Sequence, residues 1–320
     1  MKLFNGFNAM TLREYQKINR SFKRICIYRI GNEAGFFSEI NNMLIAMVYC
    51  LEHRLQFRLC SANSNFGNDI WKDYFSAFTL HSTRIVHFLY NERPYIHKRP
   101  HSITVNQLFL FKKELAKQIL TQDIWPYIRD KSKYNVDCFV SSSLIKGSLT
   151  YVTSKLIECI WRYNRYTNTQ IKQLIRSLDI PQNYGAVFIR HGDKERESPH
   201  GEIQKYVDKI NEQCDQNNLP VFIGSDDFRV INEIKLLCPN RTFYHFNFDK
   251  DEGYFMDNFL NNYTRNEQKC KIIQLLAQIE IFKRAAYFIS SYTTNVSVFV
   301  GMARDCNNCY DINNDRWVLW

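Results

Sequence analysis

Long hydrophobic runs are missing from this chain. The longest apolar stretch, Met43 to Leu51, is far shorter than the roughly 18 residues that span a bilayer as a helix. The first residues, MKLFNGFNAMTLREYQ, lack the apolar core and cleavage site of a secretory signal. The expectation is a soluble, cytoplasmic protein, or one held peripherally at a membrane by its basic surface. Proline and glycine are scarce, and no internal repeat or low-complexity linker occurs. The matching wealth of Asn, Ile, Lys, Phe and Tyr is a compositional bias without chemistry of its own. A CxxC, Cys306 to Cys309, stands alone. A zinc site needs two more ligands at suitable spacing, so no metal is expected there. The other cysteines are scattered, and several (Cys26, Cys50, Cys138, Cys159) fall in apolar patterns. They read as buried thiols in a reducing compartment.

Positive charge is plentiful. Lys and Arg exceed Asp and Glu by 42 to 32, a formal charge of +10. That surplus points to an acidic partner: nucleic acid, an anionic membrane surface, or a phosphorylated substrate. The length, 320 residues, allows two domains of about 100–200 residues each. Apolar and aromatic content is ample for real cores.

The first half opens with a strand, Arg24 to Ile30. A Gly-containing loop (Gly31 to Gly35), a long apolar helix (Phe36 to Glu52) and a second strand (Leu55 to Cys60) follow. This is a βαβ unit, which favours a parallel sheet covered by helices. Helical periodicity runs through Val105–Thr121 and Ser143–Leu178, with a strand-like piece at Val136–Val140. Pro181 marks a boundary, so the expected domains are 1–178 and 179–320. In the second half strands are expected at Tyr184–Arg190, Pro220–Gly224, Thr242–Phe246 and Ala286–Ser290. Helices are expected at Glu202–Gln213, Phe228–Leu237, Cys270–Arg284 and Asn295–Met302. Such alternation means a doubly wound sheet, which binds ligands at the carboxyl ends of its strands.

Polar residues gather at those ends. Arg190-His191-Gly192-Asp193-Lys194-Glu195-Arg196-Glu197 follows one strand, Ser225-Asp226-Asp227 another, and Ser290-Ser291-Tyr292-Thr293-Thr294-Asn295 leads from a third into a helix. Arg grips phosphate oxygens with two N–H groups. A helix N-terminus supplies amides and a positive dipole end. Carboxylates suit sugar hydroxyls and purine N–H donors. Each signal also has a plainer reading. Asp226 or Asp227, and Thr293, Thr294 or Asn295, serve equally as helix caps. Arg190 with Asp193 reads as a turn ion pair, and His191 as a surface residue rather than a base. The conjunction at three successive strand ends favours a nucleotide site.

At these residues the sequence resembles the inverting fucosyltransferase superfamily, the α-1,6-fucosyltransferases and nodulation enzymes with the related α-1,2- and protein O-fucosyltransferases. FIRHGDKERE is similar to the family's HxRRxDK…E motif, VFIGSDDFRVINEIKLLCPN to its strand-(S/T)DD-helix segment, and RAAYFISSYTTNVSVFVGMAR to its helix-strand-Ser/Thr-rich-helix segment. GFFSEINNMLIAMVYCLEHRLQF is similar to its N-terminal Gly-rich loop and helix, whose usual form is closer to GxGxQ. The resemblance covers most of 180–303 together with 30–60 and leaves 61–175 unmatched.

The resemblance implies an α/β, GT-B-like fold of two Rossmann-like lobes with parallel sheets and a donor site in the cleft between them. It implies GDP-fucose as donor, a glycan acceptor, direct displacement with inversion, no nucleic acid, and neither cofactor nor metal. By position Arg190 would hold the β-phosphate of the leaving GDP. Glu197 would be the general base, with Asp193 the alternative because the loop is one residue shorter. Lys194 would sit near the phosphates or orient Glu197. Tyr206, Asp226, Asp227, Thr293 and Thr294 match donor-contacting positions, and Gly35 and Ser38 the N-terminal loop. The pattern departs at three places: Phe188 replaces a His, His191 replaces the second Arg, and Gln278 replaces the carboxylate that reads guanine. Gln offers a purine edge no pair of ionic acceptors.

Other readings stay open. Another nucleotide sugar could serve as donor. Asp249-Lys250-Asp251 has the DxD form that holds divalent metals in some transferases, but it falls in a charged loop, FDKDEGYF. A non-enzymatic nucleic-acid binder is the alternative from another class. Trp161-Arg162-Tyr163-Asn164-Arg165-Tyr166 could stack bases, although such a stripe reads more simply as a helix face with a solvated side, and no nucleic-acid motif is present. The acceptor is expected to lie against the unmatched region 61–175.

Overall fold

The computed structural model describes residues 10–31, 34–93, 117–130, 133, 138–142, 145–192, 203–217, 219–246 and 253–313. Contacts divide the chain into two compact units, Met1–Asn164 and Arg165–Trp320. Among the described residues no helix is long and apolar enough to cross a membrane.

The first unit begins with α1 (Leu12–Ser21), started by a reciprocal cap between Thr11 and Glu14. Its sheet has three parallel strands in the order β2 (Leu55–Cys60), β1 (Arg24–Arg29), β5 (Gln118–Leu120). Helix α2 (Phe36–Glu52) joins β1 to β2 and is buried along most of its length. Among the described residues the unit also has two hairpins, β3 (Ala62–Ser64) with β4 (Gly67–Asp69) and β6 (Phe139–Ser141) with β7 (Lys146–Ser148), and three further helices, α3 (Ile85–Tyr90), α4 (Thr121–Ile128) and α5 (Leu149–Ile160). α2 packs against β2, α4 and α5, so its apolar residues face neighbours all round.

Two expectations change here. Of the helix expected over 105–121, residues 118–120 are instead strand β5, and 105–116 lie outside the described residues. Pairing with β1 draws Leu120 into a cluster with Ile27 and Cys60, and that burial outweighs the helical pattern. The helix expected over 143–178 is broken. β7 occupies 146–148, Ser148 caps α5 by accepting from the Tyr151 amide, and the chain leaves the helix at 161–164 before α6 (Arg165–Ser177). At that break the backbone bonds to another segment, Ser76 N to Arg162 O at 2.7 Å and Asn164 N to Tyr74 O at 3.0 Å. Apolar spacing continues across the break, which is why the sequence reads as one helix.

The second unit starts with α6 rather than at Pro181, because α6 packs on α10 (Arg265–Arg284). Among the described residues the remaining elements are β8 (Gly185–Ile189), α7 (Ile203–Asn217), β9 (Val221–Ser225), α8 (Phe228–Leu237), β10 (Phe243–Tyr244), α9 (Met256–Asn261), β11 (Phe288–Ser290), α11 (Asn295–Ala303) and β12 (Cys309–Asp311). Five parallel strands lie in the order β10-β9-β8-β11-β12. Every residue of β8 is buried, as expected of a strand covered on both faces. α10 starts five residues earlier than its apolar pattern, because Thr264 and Glu267 cap each other. The short elements α9 and β12 carry too little pattern to be seen in the sequence.

Candidate functional site

In a doubly wound sheet the crevice opens where the strand order reverses. Here that point lies between β8 and β11, which are neighbours. Arg190 is the first residue beyond β8. Its Nη1 lies 3.0 Å from Asp226 Oδ2, just past β9, and its guanidinium sits over the Tyr254 ring at 4.9 Å. Asp226 also accepts from the His191 amide (2.6 Å) and the Tyr254 amide (2.9 Å), while its own carbonyl accepts from Gly253 N (2.9 Å). One carboxylate thus ties the ends of two strands to the 253–254 segment and aims Arg190. Gly192 makes this possible. Its φ is +137°, and a Cβ there would meet the Tyr254 backbone at 2.6 Å.

Burial pushes the Asp226 carboxyl above its ordinary 3.8, and Arg190 and the two amides pull it only part of the way back. The sign follows from linkage. A group whose pKa is raised on folding contributes stability below about pH 3.8 and loses it as pH rises through the higher folded value. Ionised Asp226 therefore costs the fold something at neutral pH and serves to hold Arg190.

Asp227 does a different job. It is the N-cap of α8, accepting from Arg229 N at 2.9 Å and pairing with Arg229 Nη2 at 2.7 Å. His191 Nδ1 lies 3.6 Å away. Burial raises the Asp227 carboxyl, but the Arg229 hydrogen bonds and charge outweigh it, so its pKa ends below the ordinary value. Asp227→Ala is expected to cost about 1 kcal/mol in a urea melt. The loss should be present above about pH 3.8 and fade as pH falls through the lowered folded value.

The turn after β11 is held from several sides. Ser290 Oγ donates to Phe188 O at 2.7 Å, joining the two strands that flank the switch point. Thr294 caps α11 by accepting from Ser297 N, and Thr293 Oγ1 lies 2.8 Å from Ser291 Oγ. Tyr206 is fully buried in the core on α7, packed among the residues that include Ile289 of β11. Asp311, at the end of β12, accepts from Tyr292 N at 2.6 Å and is buried. Sequence reasoning missed it, since β12 itself was not legible.

Gln278 lies on α10, buried, and among the described residues its Oε1 has no hydrogen-bond partner. A Cβ at Gly224 would collide with that oxygen and with the Phe282 ring. Phe188 is buried too and packs on Phe282 at 5.6 Å. Two of the three departures from the family pattern thus share one aromatic layer, where an unpaired carboxylate would be costly.

In the first unit Gly35 is the N-cap of α2 and makes no side-chain cap, and Ser38 lies half-buried in the first turn. Glu39, in the same first turn, was not anticipated. It is buried and accepts from Gly31 N (3.0 Å) and Ala34 N (2.8 Å), with Arg93 Nη2 as its charged partner. A lone carboxylate inside an apolar helical run was the available signal.

Asp193, Lys194 and Glu197 lie outside the described residues, as does Asp249-Lys250-Asp251. In the 161–166 stripe two of the three aromatics are taken up by packing, and Tyr166 is exposed. Trp161 is buried against Phe75 at 4.5 Å and donates to the Tyr163 hydroxyl, and Tyr163 stacks on Phe75 at 5.3 Å. Burial pushes the Cys309 thiol up to about 11 and Cys306 higher still. Among the described residues no three His, Cys, Asp or Glu side chains converge as metal ligands.

No family model matches the sequence, and no curated protein matches it. Solved structures are similar in fold. The NodZ α-1,6-fucosyltransferase soaked with GDP-fucose is similar over 88% of this chain and 93% of its own, with a TM-score of 0.52 and 12% identity. POFUT1 in complex with GDP is similar over 91% of this chain and 99% of its own, with a TM-score of 0.51 and 13% identity. NodZ from Bradyrhizobium, as the selenomethionine protein, is similar over 88% and 92%, at 0.51 and 12%. The chain therefore has the mixed α/β, parallel-sheet fold of these GT-B-like fucosyltransferase structures.

Proposed function

We propose that this protein is an inverting glycosyltransferase that moves fucose from GDP-fucose to a hydroxyl of a glycan acceptor without a required metal. The observation that carries the reading is the pair of features at the switch point. Arg190 is aimed by Asp226 at the end of β8, and the Thr294-capped α11 starts beside the end of β11. A guanidinium and a helix N-terminus together suit a diphosphate. The basic charge of the chain, +10, fits the same anionic ligand. Support also comes from the fold, shared with a protein crystal soaked with GDP-fucose.

In this reading the acceptor oxygen attacks the anomeric carbon as the bond to GDP breaks. Its proton passes to Glu197, or to Asp193. Arg190 neutralises charge growing on the β-phosphate oxygens, and Lys194 stands near the same phosphates. Thr293 and the α11 N-terminus receive the donor, while Asp226, Tyr206 and Asp311 shape the site without touching it. Gln278 takes the base-proximal position, and Asp227 caps the adjoining helix. Residues 61–175 supply the acceptor surface.

The test is release of nucleoside diphosphate across a panel of nucleotide sugars, with and without EDTA. Turnover of GDP-fucose that survives EDTA is expected. Turnover confined to UDP-sugars would sink the donor assignment, and dependence on added metal would sink the metal-free mechanism. Steep salt-dependent binding to DNA or RNA, without thermal stabilisation by GDP, would instead favour a nucleic-acid binder.

A further inference from the structure

We infer that the acceptor is an acidic glycan, held along the outer face of α6 by Arg165, Lys172 and Arg176. The inference rests on the glycosyltransferase reading above and adds the charge of the acceptor to it. α6 contains no Asp or Glu. Its three cations are spaced by seven and four residues, so they fall on one face of the helix. At about 1.5 Å of rise per residue their row is about 17 Å long. All three are exposed, and among the described residues none of them forms an ion pair. Lysines on other helices are matched by an acid three residues away. Lys155 pairs with Glu158, Lys209 with Glu212 and Lys283 with Glu280, at 2.7 to 2.9 Å. Lys172 and Arg176 stand four residues apart, where like charges repel and weaken a helix. An anion lying across them relieves that repulsion. A single phosphate reaches one or two of the three, so a ligand that meets the whole row carries negative charge at intervals along its length.

The row begins at the sheet edge that carries Arg190. α10 takes the chain from β10 back to β11, and these strands run in the same direction, so α10 starts near their carboxyl ends. Lys269, in the second turn of α10, lies over the Tyr166 ring at 4.8 Å, which sets the first turn of α6 at the same edge. Contacts lead on from there to the site. Gln268 Nε2 donates to Phe259 O at 2.9 Å, the Phe259 ring meets Tyr254 at 5.6 Å, and Tyr254 lies under Arg190. Two other polyanions fit the row less well. Single-stranded nucleic acid is held by aromatic platforms as well as by charge, and α6 offers one aromatic, Tyr166, already met by the Lys269 ammonium. A helix that lies on a membrane turns an apolar face to the lipid. The exposed positions in this row (Arg165, Thr169, Lys172, Gln173 and Arg176) are polar throughout, while Thr167 and Ile171 are buried on the opposite side. Carboxylates or sulfates spaced by sugar rings need neither feature.

The experiment measures binding to the full chain by calorimetry at low salt. The probes are octagalacturonate, its methyl ester, in which the same backbone is uncharged, and a heparin octasaccharide. One variant combines Arg165→Gln, Lys172→Gln and Arg176→Gln. A charge-matched control combines Lys155→Gln, Lys209→Gln and Lys283→Gln. The parent is expected to bind at least one acidic probe about thirtyfold more tightly than the methyl ester, roughly threefold for each exposed ion pair formed. The α6 variant should lose that preference and the control should keep it, and the preference should shrink as salt is raised. Which acidic probe binds separates a carboxylate source from a sulfate source. No preference over the methyl ester, or equal losses in the α6 variant and the control, would overturn the inference. Tighter α6-dependent binding of single-stranded DNA or of phosphatidylserine vesicles would overturn it too. A parent that binds GDP but shows no charge preference overturns the inference alone. A parent that holds an acidic probe through α6 and binds no GDP overturns the donor reading instead.

Discussion

Arg190→Ala is expected to lower GDP-fucose turnover by about two to three orders of magnitude, the usual cost of losing one preorganised group at a developing charge. The guanidinium stands one residue beyond β8, held by Asp226 at 3.0 Å and by the Tyr254 ring. Those contacts set its direction before any ligand arrives, so little reorganisation remains for the transition state. Arg190→Lys should recover little of the loss, because a single ammonium cannot span two phosphate oxygens as a planar fork does. The fold should survive either change, since Arg190 is at the edge of the core rather than in it. The measurement is GDP release under saturating donor, with thermal melts to confirm folding. Turnover within threefold of the parent in a folded Arg190→Ala protein would show that the phosphate grip lies elsewhere.

Arg93→Met is expected to destabilise the first unit by about 3–5 kcal/mol, because it leaves the Glu39 carboxylate buried without its cation. Neither side chain reaches solvent, so water cannot replace the missing partner. The two amides that Glu39 accepts remain, but they are dipoles and only partly offset a full charge. Adding Glu39→Gln to the same chain should recover most of the loss by removing the stranded charge. Urea melts of the two variants measure this directly. Equal stability of the single and double variants would mean that the pair contributes nothing through its charges.

Much of the frame was legible in the sequence. β1, α2, β2, β8, β9, α8, β11 and α11 fall close to their expected positions, because buried parallel strands and amphipathic helices leave patterns in adjacent residues. The same holds for the polar groups at the ends of β8, β9 and β11. The plainer readings also had their place, since Asp227 and Thr294 are N-caps. What failed was everything settled by distant partners. β5 became a strand because β1 was there to pair with it. The helix expected over 143–178 broke where Trp161 and Tyr163 found Phe75. α6 joined the second unit because α10 offered it a face.

Arg190 shows where the two sources of information divide. By itself the sequence determined that an arginine follows a buried strand in a strand–helix alternation, and that distribution of residues is enough to place it at the carboxyl edge of a sheet. Only the tertiary structure decided that β11 lies beside β8, that Asp226 is an ion-pair partner of the guanidinium, and that Glu39 and Asp311 accept from backbone amides of the turns after β1 and β11. The reason is physical. Periodicity is a property of neighbouring residues, whereas a buried carboxylate finds its amides wherever folding brings them, and no spacing in the chain records that meeting.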